Sequence, residues 1–246
     1  MDDAAAPPPE AEEGDGTQRQ RSPIFNLPPA LAATLLILFA IFLVQSLLSP
    51  ETLNRFFFTF GFIPRRYTVP LTQQGLEWLW TPVTYSLLHG GIEHIVFNCL
   101  WLMAFGAPVV RRIGTLRYVL FWIVSAAASA FLHAALNWGD LTLLIGASGV
   151  VSGLMGAACR FAFPGERRPG RLPAHMSPRL SILQSLRSRT VLMFTLFWFA
   201  GNLLIAFGVT LIGDTSQPVA WDAHIGGFLL GFLLFGLFDR RPSEIG

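Results

Sequence analysis

A few polar side chains in an otherwise apolar chain are of the types that hydrolyse acyl bonds. Ser148 stands in the run Gly146-Ala147-Ser148-Gly149, His224 follows Asp222-Ala223, and His94 and Asn98 lie four residues apart, the spacing of one helix face. A serine hydroxyl is a weak nucleophile until a base removes its proton, and histidine titrates in the right range for that work. Ser148 and His224 supply such a pair. If Ser148 opens a helix, its backbone N–H is an open donor at the positive end of the helix dipole. His94 and Asn98 can add side-chain donors for a developing oxyanion, each contributing roughly 3 kcal/mol in a transition state. Asp222, two residues before His224, is expected to face the outer surface rather than the imidazole, so the reading is a dyad without an acid. His89, ahead of Gly90-Gly91, is assigned to loop fixation or a supporting hydrogen bond.

The elements that must carry these residues are legible in the composition. Hydrophobic residues make up 52% of the 246 and charged residues 13%, about half the charged share of an ordinary soluble domain. A net charge of +2 gives no basis for a nucleic-acid partner. The two cysteines, Cys99 and Cys159, form no spacing motif and read as small packing residues, and neither a metal nor a cofactor is implied. Residues 1–28 are rich in proline, alanine and acid without apolar period; they read as a disordered cytoplasmic tail and not as a secretory signal. Residues 29–239 then form an all-α membrane domain, and residues 240–246 a short cytoplasmic tail. Six apolar stretches qualify as spans: Ala30 to Leu48, Glu93 to Val109, Leu116 to Leu136, Ser148 to Phe163, Thr190 to Leu211 and Ala223 to Phe238. The second, fourth and sixth are short and bear glycine, as central helices do.

All 17 basic residues are arginine, and their placement orients the set. Arg111, Arg112 and Arg117 fall between spans two and three, Arg160, Arg167, Arg168, Arg171, Arg179, Arg187 and Arg189 in or beside the connection between spans four and five, and Arg240 and Arg241 after span six. With Arg19 and Arg21 they lie on one side, so both termini face the cytoplasm. Arg55, Arg65 and Arg66, in the long connection between spans one and two, oppose that count without reversing it. Spans two, four and six then start at the outer face, and their first turns share one depth. Polar groups in a membrane are costly and face the interior or a watery cavity, so His94, Asn98, Ser148 and His224 at one end of a bundle are functional candidates. Span four carries Gly149, Gly153 and Gly156 below the serine, and span six carries Gly227 and Gly231 below the histidine. Two such smooth faces in contact bring Ser148 and His224 together.

The segments WTPVTYSLLHGGIEHIVFNCLWL, GASGVVSGLMGA and AHIGGFLLG resemble the rhomboid family of intramembrane serine proteases, in the family's order, over roughly Trp80 to Asp239. The resemblance implies a six-helix rhomboid-type bundle in a bacterial inner membrane, opening to the non-cytoplasmic side. It implies Ser148 as nucleophile, His224 as base, and His94 and Asn98 as oxyanion partners. Its substrates are transmembrane proteins, cut near the outer end of a helix after local unwinding. Two positions depart from the family pattern. Trp80 is followed by Thr81 where many members have arginine, and Ser152 stands where some stack a tyrosine on the catalytic histidine, so His224 needs another means of positioning. Of the other histidines, His133 reads as a packing or interfacial residue and His175 as solvated, in an arginine-rich connection that suits anionic membrane lipids. Two other functions compete. A catalytically inactive rhomboid-like protein binding membrane helices would lack the serine or histidine, and a transporter would place its polar cluster at the midplane.

Overall fold

The computed structural model describes residues 27–163, 173–207 and 219–239. Nearly all of the two tails, Arg167, Arg168 and Arg171, the end of span five and most of the loop leading to Asp222 lie outside those residues. Every regular element described is helical, and one isolated antiparallel bridge joins Phe62 to Leu144. By length and composition, Pro29–Leu47, Ile92–Ile113 and Thr115–Leu136 can each cross a membrane, while Ser148–Ala158, Arg189–Leu204 and Trp221–Leu237 are shorter apolar helices.

Helix α1 (Pro29–Leu47) has proline in its first turn, where the missing N–H costs nothing, and an unbroken apolar run thereafter. It buries Leu31, Leu38 and Gln45. Gln45 holds both main-chain groups of His89: Nε2 donates to the carbonyl oxygen at 3.0 Å, and Oε1 accepts from the N–H at 3.4 Å.

The long connection after α1 is not irregular chain. It contains α2 (Pro50–Phe60), capped by Ser49, whose hydroxyl accepts from the Thr52 N–H. A helix leaves its last carbonyls open, and here other segments fill them. Arg66 donates to Phe58 and Gly61, the Trp80 indole to Thr59 at 2.8 Å, and the Thr84 hydroxyl to Phe60 at 2.7 Å. Trp80 thus has a structural task without an arginine beside it. Half-burial lowers the pKa of the Arg66 guanidinium from its ordinary value, and Glu77 opposes that shift. Helix α3 (Glu77–Thr84) contains Pro82, which cannot donate to the Trp78 carbonyl; the Tyr67 hydroxyl donates there instead, at 2.9 Å.

The second span is longer than the sequence suggests. It runs as α4 (Ile92–Trp101), a wide π turn over Leu102–Gly106, and α5 (Ala107–Ile113). The π turn falls just ahead of Pro108, which removes a donor from the regular ladder. Gly114, at φ +77°, alone separates α5 from α6 (Thr115–Leu136). Arg111 and Arg112 therefore occupy the last turn of α5, and Arg117 the first turn of α6, rather than a loop.

Helix α7 (Ser148–Ala158) buries every residue from Gly149 to Ala158 and stops short of the expected Phe163, its last turn tightening as Arg160 donates to Ala157 and Phe161 to Ala158. Helix α8 (Ile182–Arg187) opens with a capping box between Ser181 and Gln184. It leads into α9 (Arg189–Ala206), and α10 (Trp221–Leu234) closes the described fold. A Cβ added to Gly227 would lie 1.9 Å from the Gly149 carbonyl oxygen, and one on Gly231 would lie 1.8 Å from that of Gly153. Equal steps of four residues on both helices mean that α7 and α10 run parallel, main chain against main chain. Ser125 and Ser129 of α6 fill the adjoining gaps against Gly153 and Gly149.

At the opposite end two arginines counted as loop charges are buried. Arg112 pairs with Asp239 at 2.9 Å, donates to the Ser177 and His175 carbonyls, and lies 4.5 Å over the Phe161 ring. Arg160 donates to Phe232 at the end of α10 and twice to Leu180. His175, expected to be solvated, is half-buried.

Candidate active site

Ser148 begins α7 with no side chain capping that end, which leaves the first N–H groups of the helix open to another acceptor. The chain reaching it is fixed from three directions. Phe62 and Leu144 exchange both main-chain hydrogen bonds, at 3.1 and 2.9 Å, Gly146 donates to the Tyr85 carbonyl, and Arg65 donates to that of Asp140. Gly146 adopts φ +115°, where side chains are strained, and an added Cβ would sit 2.5 Å from His94 Nε2. The imidazole of His94 therefore lies against the backbone two residues before the serine.

His94 comes with a readable tautomer. Its Nδ1 accepts from the Gly90 N–H over a long 3.4 Å, so in the neutral ring Nε2, the nitrogen against Gly146, carries the proton and is a donor. His89 is buried and meets His94 edge to face, ring centroids 5.1 Å apart, with its own main chain clamped by Gln45. Asn98, one turn along α4, is buried and donates from Nδ2 to the His94 carbonyl at 2.9 Å. Ser152 donates to the Ser148 carbonyl at 2.8 Å, a bond within α7.

The parallel seam of α7 and α10 sets the place of His224. Gly227 meets Gly149, so His224 and Ser148 each stand in the first turn of their helix, at the end where the seam opens. Both are half-buried, while Ala147, Gly149 and Ala223 around them are buried. The structure thus gathers Ser148, His94 and His224 at one end of the helix group, with Asn98 a turn deeper beside them.

Asp222 differs from expectation. It is buried rather than turned to a surface, and it points into α6: Oδ1 meets His133 Nδ1 at 2.8 Å, Oδ2 accepts from Asn137 Nδ2 at 2.6 Å, and the next N–H, of Ala223, donates to Oδ1. His133 accordingly does more than pack, since it ties α6 to the start of α10. The group that meets His224 is Asn202, buried on α9, with Oδ1 2.9 Å from Nδ1. Sequence reasoning missed it. Its signal was present: an asparagine in an apolar helix expected to end at the outer face, the depth already assigned to His224.

Glycine thus closes a parallel pair of apolar helices, with a serine in the first turn of one and a histidine in the first turn of the other. The rhomboid-domain family model matches residues 77–241. The rhomboid protease GlpG of Photorhabdus laumondii is 32% identical over 180 residues, 71% of this chain and 52% of that protein. That of Pectobacterium atrosepticum is 30% identical over 165 residues, 67% of this chain and 50% of the relative, and that of Yersinia pestis 29% over 171 residues, with the same shares. The chain belongs to the rhomboid family and is an integral membrane protein. It spans about half the length of the curated relatives it matches.

Proposed function

We propose that the chain is an intramembrane serine endopeptidase acting by a Ser148–His224 dyad. One observation carries the proposal: glycine-to-backbone packing of α7 on α10 sets the serine and the histidine in adjoining first turns. His224 takes the Ser148 proton as Oγ attacks the scissile carbonyl carbon. The resulting oxyanion is held by the Ser148 N–H, with His94 Nε2–H and Asn98 as side-chain donors, His89 supporting His94 from behind. Collapse breaks the C–N bond, His224 returns its proton to the leaving amine, and water repeats the sequence on the acyl-serine, which restores the hydroxyl. These steps use no cofactor.

The arginine distribution supports six spans, residues 29–239, with both tails cytoplasmic and the site opening to the non-cytoplasmic face of a bacterial inner membrane. A helical peptide bond is shielded by its own hydrogen bonds. The substrate is therefore a membrane protein whose span unwinds near its outer end, with membrane lipids as surroundings. The test is co-reconstitution in liposomes with a single-span reporter. Cleavage of the reporter by the wild type and its loss in both Ser148→Ala and His224→Ala is expected. A folded wild type that leaves a panel of such reporters intact, or cleavage that survives Ser148→Ala, contradicts the reading.

A further inference from the structure

We infer that Asn202 is the positioning residue of the catalytic histidine: it accepts the Nδ1 proton of His224 and so leaves Nε2 as the basic nitrogen. This rests on the dyad proposed above and supplies its missing third member. The assignment follows from the amide's two ends. Asn202 Nδ2 donates to the Trp198 carbonyl at 2.9 Å, and a carbonyl can only accept, so that end of the amide is the NH2 group. The other end, Oδ1, faces His224 Nδ1 at 2.9 Å, and an amide oxygen can likewise only accept. In a neutral imidazole one nitrogen holds the proton, and Oδ1 selects Nδ1 for it.

The carboxylate nearest in sequence does not do this work, since the Asp222 oxygens are engaged by His133, Asn137 and the Ala223 N–H. The helix carrying Asn202 is itself docked one turn below the hydrogen bond. Trp198 stacks on Phe228 with centroids 4.5 Å apart, and Phe199 meets the same ring edge-on at 5.6 Å. An uncharged acceptor orients the ring without placing a second buried charge beside an imidazole that becomes cationic during the reaction. Asn202 is 6% exposed, a setting where an unpaired carboxylate is costly.

The test combines 15N NMR of histidine-labelled protein, at alkaline pH where imidazole is neutral, with the rate at which a fluorophosphonate modifies Ser148. In the wild type His224 is expected to be protonated at Nδ1 and bare at Nε2; the opposite tautomer overturns the assignment without any variant being made. Asn202→Leu keeps the volume and removes the acceptor. It is expected to slow modification about tenfold, the scale of one ordinary hydrogen bond, and to mix the tautomers. Asn202→Asp, which keeps an acceptor oxygen, is expected to restore the Nδ1–H form. An unchanged rate and tautomer in folded Asn202→Leu overturns the proposal. If the wild type shows the Nδ1–H form yet Ser148 is never modified, the protease reading fails while the assignment to Asn202 stands.

Discussion

Reactive side chains are the easiest part of this chain to find and the hardest to orient. Serine, histidine and asparagine in an apolar background announce themselves, because each needs a reason to be there. Their hydrogen-bond partners do not, since partnership depends on which faces of distant helices meet. Asp222 shows the difficulty: proximity in sequence to His224 says little, because successive residues on a helix point in different directions, and its carboxylate turns to α6. Asn202, 22 residues away, turns toward the imidazole instead. Gly146 carries the clearest prediction at this scale. Its positive φ costs a substituted residue about 1–2 kcal/mol, and a methyl there meets His94 Nε2. Gly146→Ala is expected to leave the protein folded but to slow fluorophosphonate modification of Ser148 by about tenfold or more. A rate equal to wild type would mean that His94 has no part in holding the site.

Among the elements, the paired helices α7 and α10 were the most legible. Their glycine stripes mark a close contact whichever partner they meet, and the structure gives them each other. Gly231→Ala places a carbon 1.8 Å from a backbone oxygen that cannot turn away, so the helices must part. A loss of about 3 kcal/mol is expected in reversible unfolding in mixed micelles, together with loss of Ser148 modification. Gly201→Ala on α9 is the counterpart, with nothing within 4 Å of the added carbon. Removing a helical glycine there is expected to stabilise by about 0.5–1 kcal/mol or leave stability unchanged. If both variants behave alike, the seam is not what closes the pair. The connection between α1 and α4 was the least legible element. Its amphipathic α2 is held by Arg66, Trp80 and Thr84 on its terminal carbonyls, contacts between residues 8 to 24 positions apart that no local pattern reveals.

At the scale of the molecule, arginine count and arginine placement tell different stories. Counting yields an expected orientation for the membrane domain, whereas placement shows that two of the counted residues are buried. Arg112 and Arg160, however, are fasteners: they bind the end of α10, the chain after α7 and the start of the α8 segment into one unit opposite the serine. Nothing in the sequence separates a buried arginine from a loop arginine, because both follow an apolar run. Removing Asp239 leaves the Arg112 guanidinium charged and without its carboxylate in a dry site. Asp239→Ala is expected to cost about 3–5 kcal/mol in unfolding measurements, and the double variant Arg112→Met, Asp239→Leu to recover most of it. A cost below about 1 kcal/mol for the single variant would place this pair in contact with water.

Whether the seam, the glycine turn and the arginine fasteners together assemble a working nucleophile is decided by one measurement. The purified protein in detergent is exposed to a fluorophosphonate and the adduct is located by peptide mass spectrometry. A single adduct on Ser148 that disappears in His224→Ala is expected. A folded, monodisperse protein that acquires no adduct, or one whose Ser148 reacts equally well without His224, would contradict it.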